Sequence, residues 1–212
     1  MSMNALRLET LGCRRGGRLL FSGLDAGIAP GEALLLHGPN GSGKSSLLRL
    51  LAGLAAPASG RILIDGVPAG REDLNALGLY AGHALALKPM LSVADNLVFW
   101  IDCLGGRRTA LEAALDSLAL APLAALPVGR LSAGQQRRVS LARLLLVERP
   151  FWLLDEPMTA LDRDSVGRVE AMISAHLAKG GMAAIATHAP LAFPGVRLDL
   201  AACRPDWPEE AA

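Results

Sequence analysis

The sequence has few aromatic and few charged residues. Of its 212 residues, 4% are aromatic, with a single tyrosine, and 19% are charged. The formal net charge is only +1, and the Lys and Arg residues are scattered among Asp and Glu. Because this distribution produces no basic field, nucleic acid is not an expected partner. The content of 51% hydrophobic residues is enough to bury a full core, which excludes a disordered chain.

Cysteine is also scarce. Cys13, Cys103 and Cys203 are far apart in the sequence, and no CxxC pair occurs. Neither a zinc site nor a disulfide framework is therefore indicated, and we expect reduced thiols, as in cytosolic proteins.

No segment resembles a secretion signal or a membrane span. The sequence does not open with a basic region followed by an apolar one, so we expect no signal peptide. The longest uncharged run, residues 180–196, contains two prolines and is shorter than the ~18 apolar residues that a spanning helix needs. The mean hydropathy is nevertheless high, at +0.34. An apolar docking face on a leucine- and alanine-rich soluble domain would explain both observations.

A glycine-rich segment lies between a predicted strand and a predicted helix. The three leucines of residues 34–36 predict a short buried strand, and the leucines of residues 47–51 predict an apolar helix face. The intervening spacing, Gly-x-x-x-x-Gly-Lys-Ser from Gly38 to Ser45, is that of a phosphate-binding P-loop. The alternative is a glycine-rich turn before an ordinary helix, but the strand before it and the helix after it favour the P-loop.

The P-loop predicts binding of a nucleoside triphosphate. Its glycines allow successive backbone N–H groups to point at one anion, and the helix N-terminus adds the positive end of its dipole. Lys44 can reach the β- and γ-phosphates, and the Ser45 hydroxyl can ligate Mg²⁺. The predicted phosphate-binding residues are Gly38, Pro39, Asn40, Gly41, Ser42, Gly43, Lys44, Ser45 and Ser46.

The remaining pattern predicts an α/β fold of the P-loop NTPase class. Strands alternate with helices, which favours a mainly parallel sheet that binds its ligands at the carboxyl ends of the strands. Gly38, Asp155 and His188 should therefore lie at one edge of that sheet. Alternating apolar residues at 6–11 and 24–28 predict a small antiparallel β layer, with a polar loop between its strands.

We expect a single domain over residues 1–212. Residues 1–83 and 147–203 would form its core together with the β layer. Residues 84–146, where the apolar spacing becomes helical, would form a helical insertion, and residues 204–212 a solvated coil.

Two adjacent carboxylates follow another predicted strand. Asp155 comes after the four apolar residues 151–154, which is the usual position of a Mg²⁺-holding carboxylate at a strand end. Glu156 comes next and could polarise a water for attack on the γ-phosphate. Taken alone, the Asp-Glu-Pro triplet is more simply a strand-ending turn. Because the triplet follows a P-loop in the chain and ends a strand of the same predicted sheet, the catalytic interpretation is favoured.

The most specific motif is the run Leu-Ser-Ala-Gly-Gln-Gln-Arg at residues 131–137. Its local chemistry is that of a helix start, with Ser132 as N-cap and Gln135 at the reciprocal position of a capping box. The run also resembles the LSGGQ signature of ABC ATPases. Other marks of that family occur in the family's order, namely the P-loop, the strand ending at Asp155 with Glu156 after it, a D-loop-like segment at 159–162, and a switch histidine at His188.

The resemblance to ABC ATPases implies a catalytic scheme with ATP and Mg²⁺. Lys44 and Mg²⁺ would stabilise the charge of the transferring phosphoryl group, and Ser45 and Asp155 would hold the metal ion. Glu156 would activate water, and His188 would contact the γ-phosphate.

The same resemblance implies partners. Two ATPase domains would pair head to tail, with ATP between the P-loop of one and the signature of the other. Ser132, Gly134 and Gln135 would then present a helix N-terminus to the partner's γ-phosphate. Integral-membrane permease subunits would be the other partners, at the cytoplasmic face of the bacterial inner membrane.

Two positions depart from the ABC pattern. The family usually has an aromatic residue that stacks on adenine upstream of the P-loop, but residues 13–17 contain none. Arg15 is nearest by position and could stack its guanidinium plane on the base, at lower base selectivity. The Gln of the Q-loop is replaced by His83, whose neutral imidazole can offer one ring nitrogen to water or metal.

Three further segments resemble one subgroup of the ABC ATPases. Gly82-His83, the run 131–139 and the segment 20–24 resemble the ATPase subunits of the bacterial haem exporter that serves cytochrome c maturation. No CxxCH motif occurs, so this substrate is implied by resemblance alone. The alternatives are an exporter of another small substrate, a soluble P-loop kinase, or an ABC ATPase that acts on nucleic acid or ribosomes. A kinase would have no use for the signature, and the last class usually carries two ATPase halves or a long insertion, plus basic patches.

The apolar segment 84–91, together with Phe99 and Trp100, has two interpretations. It is either a docking groove for a membrane subunit or part of the core of the helical region. A contiguous exposed patch would favour docking.

Overall fold

The computed structural model describes residues 5–188, 191 and 193–203, and the tail predicted at 204–212 lies outside these residues. In chain order the strands are β1 (Leu6–Arg15), β2 (Arg18–Ile28), β3 (Ala33–His37), β4 (Ser59–Ile64), β5 (Val67–Pro68), β6 (Gly78–Ala81), β7 (Phe151–Asp155), β8 (Met182–Ala186) and β9 (Val196–Asp199). The helices are α1 (Lys44–Leu51), α2 (Arg71–Leu77), α3 (Val93–Leu104), α4 (Leu111–Ser117), α5 (Ala133–Ala142) and α6 (Arg163–Ala178). Short 3₁₀ turns cover Arg108–Ala110, Ala121–Leu123, Val128–Arg130 and Arg143–Leu145.

In the described chain a five-stranded parallel sheet has the order β6-β7-β8-β3-β9. Successive residues of its central strands face two different cores. In β3, Leu34 and Leu36 pack in the core that includes the leucines of α1, whereas Ala33 and Leu35 pack in the core that includes the helical region. Strands that are buried on both faces read as continuous apolar runs, which is why the sequence predicts them. The carboxyl ends of β3, β6, β7 and β8 meet at one edge.

The predicted antiparallel layer is confirmed, and its strands have the order β2-β1-β4-β5. The polar loop expected between its first two strands is shorter than predicted, because Arg15 pairs with Arg18 across a two-residue turn. Gly16 and Gly17 in that turn have φ of 55° and 80°, as a tight hairpin turn requires.

Side-chain caps begin three of the helices, α3, α5 and α6. Ser92 accepts a hydrogen bond from the Asp95 N–H at the start of α3. At the start of α5, Ser132 and Gln135 form the predicted reciprocal pair, at 3.2 and 2.9 Å. Helix α6 begins at Arg163, because the Asp162 side chain caps it by accepting from the Ser165 N–H.

Strands β5 and β9 and helix α2 were not predicted. Helix α2 buries only Leu74, and neither β5 nor β9 has a buried residue, so none of the three presents an apolar pattern. None of the helices in the part of the chain that the structure describes has the length and apolar character that crossing a bilayer requires.

Candidate active site

A cavity of about 310 Å³ opens at the carboxyl edge of the parallel sheet. It lies between the loop after β3, the carboxylates after β7 and the β1–β2 hairpin. Its lining residues are Arg15, Leu20, Asn40, Gly41, Gly43, Lys44, Ser45, Ser46, His83, Asp155 and Glu156. The structure therefore brings the P-loop and both predicted carboxylates around one space, together with the two residues that depart from the ABC pattern.

The P-loop is held by its own lysine and by a required glycine. Lys44 Nζ donates to the carbonyl oxygens of Gly38 at 2.7 Å and Pro39 at 3.2 Å, so the side chain folds across the loop. Gly43 has φ of 104°, and a Cβ there would lie 2.9 Å from the ring of Phe21. Any other residue would be strained at this position. The glycine also leaves the N-terminus of α1 accessible to an anion, since it has no side chain.

The chemistry of the cavity fits a phosphate group and a hard metal ion. Ser42 Oγ is buried and has no hydrogen-bond partner among the described residues, so a ligand is the natural partner of this atom. The Ser45 hydroxyl and the Asp155 carboxylate supply oxygen ligands, which Mg²⁺ prefers alongside phosphates and waters. The described residues contain no group of three or more His, Cys, Asp or Glu side chains that could form a site made of protein alone.

The backbone at Glu156 is held in an uncommon conformation. Its φ is 51°, in the left-handed region that residues other than glycine rarely adopt. The Glu156 N–H donates to the Ala186 carbonyl of β8 at 2.8 Å, and the Glu156 carbonyl accepts from Arg137 at 2.6 Å. The side chain is 28% exposed and faces the cavity. These bonds fix the direction in which the carboxylate leaves the strand.

Arg137 links the carboxyl ends of β6 and β7 by hydrogen bonds, and the sequence did not predict this role. Its guanidinium is buried in the protein and donates to the carbonyls of Gly82 at 2.9 Å, Asp155 at 2.6 Å, Glu156 at 2.6 Å and Pro157 at 3.3 Å. Burial lowers the pKa of Arg137, and the charges of the two carboxylates oppose that shift. Helix α5, which carries the signature, thus stabilises the backbone of the two residues that bear the carboxylates.

Tyr80 also contacts the site and was not among the predicted residues. Its hydroxyl donates to Asp155 Oδ2 at 3.2 Å. Burial raises the pKa of Tyr80, the negative charge of Asp155 raises it further, and Arg49 acts in the opposite direction. Its place in β6, two residues before Gly82, was the only available sequence signal.

Both predicted histidines are exposed. His188 Nε2 is 3.6 Å from Glu156 Oε1, too far for a hydrogen bond, and the His188 side chain is 59% exposed. His83 is exposed and lines the cavity.

The signature residues are not brought to the cavity within this chain. Ser132 is exposed, and neither it nor Gly134 nor Gln135 lines the cavity. A Cβ at Gly134 would lie 2.6 Å from the Ala160 carbonyl oxygen, so this glycine lets the start of α5 pack against the D-loop-like segment.

Residues 21–159 match the family model described as ABC transporter. The chain belongs to the ABC transporter family. The matched residues include the P-loop, the signature and the Asp155–Glu156 pair. This ABC ATPase therefore binds nucleotide, hydrolyses ATP and works with membrane permease partners, as members of the family do.

Relatives of this ABC ATPase share one name. A protein of Rhodospirillum rubrum is 51% identical over 88% of this chain and 81% of its own length, and one of Rhodopseudomonas palustris is 54% identical over 85% and 90%. Both are named cytochrome c biogenesis ATP-binding export protein CcmA. A solved putative ABC transporter ATP-binding protein of Pyrococcus furiosus has a TM-score of 0.83 at 26% identity, covering 94% of this chain and 99% of that one. The predicted family and fold are confirmed.

Proposed function

We propose that this ABC ATPase is the ATP-hydrolysing subunit of a transporter complex that exports or delivers haem for cytochrome c maturation. The observation that carries the proposal is the convergence of the P-loop and the Asp155–Glu156 pair on one cavity. This convergence occurs in a chain about half identical to proteins named for cytochrome c biogenesis and export.

The proposed reaction is hydrolysis of ATP. The backbone N–H groups of the P-loop and the Lys44 ammonium bind the β- and γ-phosphates. Ser45 and Asp155 hold Mg²⁺, which when bound neutralises charge on the phosphate oxygens. Glu156 accepts a proton from the attacking water, and His188 beside it contacts the γ-phosphate.

The position of the signature supports a head-to-tail dimer. Ser132, Gly134 and Gln135 lie outside the cavity of their own chain, although their capping box holds a helix N-terminus ready for an anion. A second copy in head-to-tail orientation places that helix end on the γ-phosphate of ATP. ATP then joins the two copies, and hydrolysis releases them.

Exposed apolar side chains in the helical region support docking to integral-membrane permease subunits of the CcmB/CcmC type, at the cytoplasmic face of the inner membrane. Leu87 and Trp100 pack against the helical core, so only part of the predicted segment belongs to the surface. Buried Asn96 holds the neighbouring loop, because its amide bonds the Lys88 backbone at 2.7 and 3.0 Å. The exposed apolar residues of this region are Met90, Leu91, Phe99 and Leu126.

A haem-stained gel tests the proposed role. Membrane and periplasmic proteins would be compared in source bacteria that lack this protein, or that carry the wild type or Glu156→Gln. We expect covalently haem-bound cytochromes to disappear in the null strain and with Glu156→Gln, because hydrolysis drives the pathway. Normal cytochromes in both strains would contradict the haem role and leave an ABC ATPase that serves an exporter of another substrate.

Arg15 should stack on the base of the nucleotide without discriminating between adenine and guanine. Arg15→Ala removes a guanidinium–base contact of about 1 kcal/mol, so the KM for ATP should rise about fivefold with kcat unchanged. The KM for GTP should rise by a similar factor, because a guanidinium plane can stack on either purine. Steady-state kinetics with both nucleotides measure this. Arg14→Ala is the matched control, since Arg14 bonds the Gly17 carbonyl and does not line the cavity; equal effects of the two variants would refute the assignment.

A further inference from the structure

One hydroxyl group, that of Tyr80, contacts the proposed metal-binding carboxylate. Tyr80 lies in β6 opposite Leu153 of β7. Because side chains alternate along a strand, Leu153 and Asp155 point to the same face of the sheet, the face on which the Tyr80 ring packs. The register of the two strands thus places the Tyr80 hydroxyl at the Asp155 carboxylate, where it donates to Oδ2 at 3.2 Å.

The ring of Tyr80 occupies space that is free because residue 82 is a glycine. A Cβ at Gly82 would lie 2.7 Å from Tyr80 Cε1 and 2.8 Å from its hydroxyl oxygen. The Gly82 backbone does not have a positive φ, so it is the ring, and not the conformation, that requires a glycine here. The hydroxyl end of the ring therefore lies against the Gly82 backbone at the end of β6.

The backbone of Tyr80 is held from the other face of the sheet. Arg143 Nη2 donates to the Tyr80 carbonyl at 2.9 Å, and the Arg143 guanidinium lies 5.1 Å from the ring centroid of Trp100. Arg143 is only 4% exposed. Tyr80 is therefore fixed on both sides, as a residue that orients a metal ligand must be.

We propose that Tyr80 is a positioning residue, whose hydroxyl holds the Asp155 carboxylate in the orientation that binding of a divalent cation together with a nucleotide requires. The inference rests on the proposed ATPase site and adds a residue to it. Oδ2 is held by the hydroxyl, which leaves Oδ1 for the cation or for one of its waters. Partners of this kind typically contribute about tenfold or more to metal affinity.

The test measures metal binding directly. Mn²⁺, which substitutes for Mg²⁺ and is visible by electron paramagnetic resonance, would be titrated into the full-length protein with bound ADP. In Tyr80→Phe the Kd for Mn²⁺ should rise about tenfold, while the Kd for ADP in EDTA should stay at the wild-type value. Ser140→Ala is the matched control, because it removes another part-buried hydroxyl, bonded to the Leu85 carbonyl at 2.9 Å, away from Asp155.

A second variant tests the same contact without removing the hydroxyl. Gly82→Ala should displace the ring and weaken Mn²⁺ binding about as much as Tyr80→Phe does. In the Tyr80→Phe background it should weaken Mn²⁺ binding no further, since no hydroxyl remains to be displaced. Additive losses in the double variant would contradict the proposal.

Tyr80 is the only tyrosine of the chain, which gives a spectroscopic readout. Labelling with 3-fluorotyrosine introduces one ¹⁹F resonance, and this resonance should shift when Mg²⁺ is added to the ADP complex. An unmoved resonance, or a wild-type Mn²⁺ affinity in Tyr80→Phe, would overturn the inference while leaving the ATPase site in place. Failure of the wild type itself to bind Mn²⁺ with ADP would instead refute the proposed site.

Discussion

Replacing Glu156 with Gln should lower ATP hydrolysis by about 10³-fold and leave ATP binding unchanged. The amide cannot accept a proton from the attacking water, but it has the same size as the carboxylate. The contacts that hold the backbone at this residue, to Ala186 and Arg137, involve only main-chain atoms of residue 156 and remain in the variant. Single-turnover hydrolysis and equilibrium nucleotide binding measure the two quantities separately.

Glu148→Gln provides the control for this prediction. The Glu148 side chain is 85% exposed and forms an ion pair with Arg107 at 2.8 Å, so the loss of its charge should change neither quantity. The Glu156→Gln variant should also accumulate as a dimer when ATP is added, which light scattering detects. Wild-type hydrolysis in Glu156→Gln would exclude Glu156 as the base, and a monomer in the presence of ATP would contradict the head-to-tail arrangement.

The sequence predicts those parts of the site that depend on short-range patterns. The P-loop is recognisable because its glycines, lysine and serine have fixed spacing between a strand and a helix. Asp155 is recognisable because it ends an apolar run that is buried on both faces. The capping box at Ser132 is likewise a local pattern, and the structure reproduces its two hydrogen bonds.

The parts that were missed depend on which strands are neighbours. Tyr80 contacts Asp155 only because β6 pairs with β7 in one particular register, and Arg137 reaches Gly82 only because α5 lies across the ends of both strands. Residues separated in the sequence by 55 to 75 positions make these contacts. No periodicity within either segment reports such a pairing. The same limitation explains β9, an exposed edge strand whose place is set by β3 alone.

Arg137→Met should destabilise the protein by about 3 kcal/mol, because it leaves buried carbonyl oxygens without their donor. Methionine retains most of the volume of the arginine stem, so the loss comes from hydrogen bonds and not from a cavity. The carbonyls that lose a donor belong to Gly82, Asp155, Glu156 and Pro157. The loss should also free the left-handed backbone at Glu156, so that kcat for ATP falls more than KM rises. Urea unfolding followed by circular dichroism gives the free energy, and steady-state kinetics give the two constants.

Two further variants decide whether the hydrogen-bond geometry of Arg137 or its positive charge accounts for the stabilisation. Arg137→Lys keeps the charge but has one nitrogen in place of three, so it cannot reach carbonyls that lie on different strands and should recover only part of the stability. Arg107→Met removes an arginine whose side chain is 73% exposed, and it should leave the unfolding midpoint nearly unchanged. Full recovery in Arg137→Lys would show that a positive charge suffices at this place. A wild-type midpoint and kcat in Arg137→Met would show that Arg137 does not support the carboxylates.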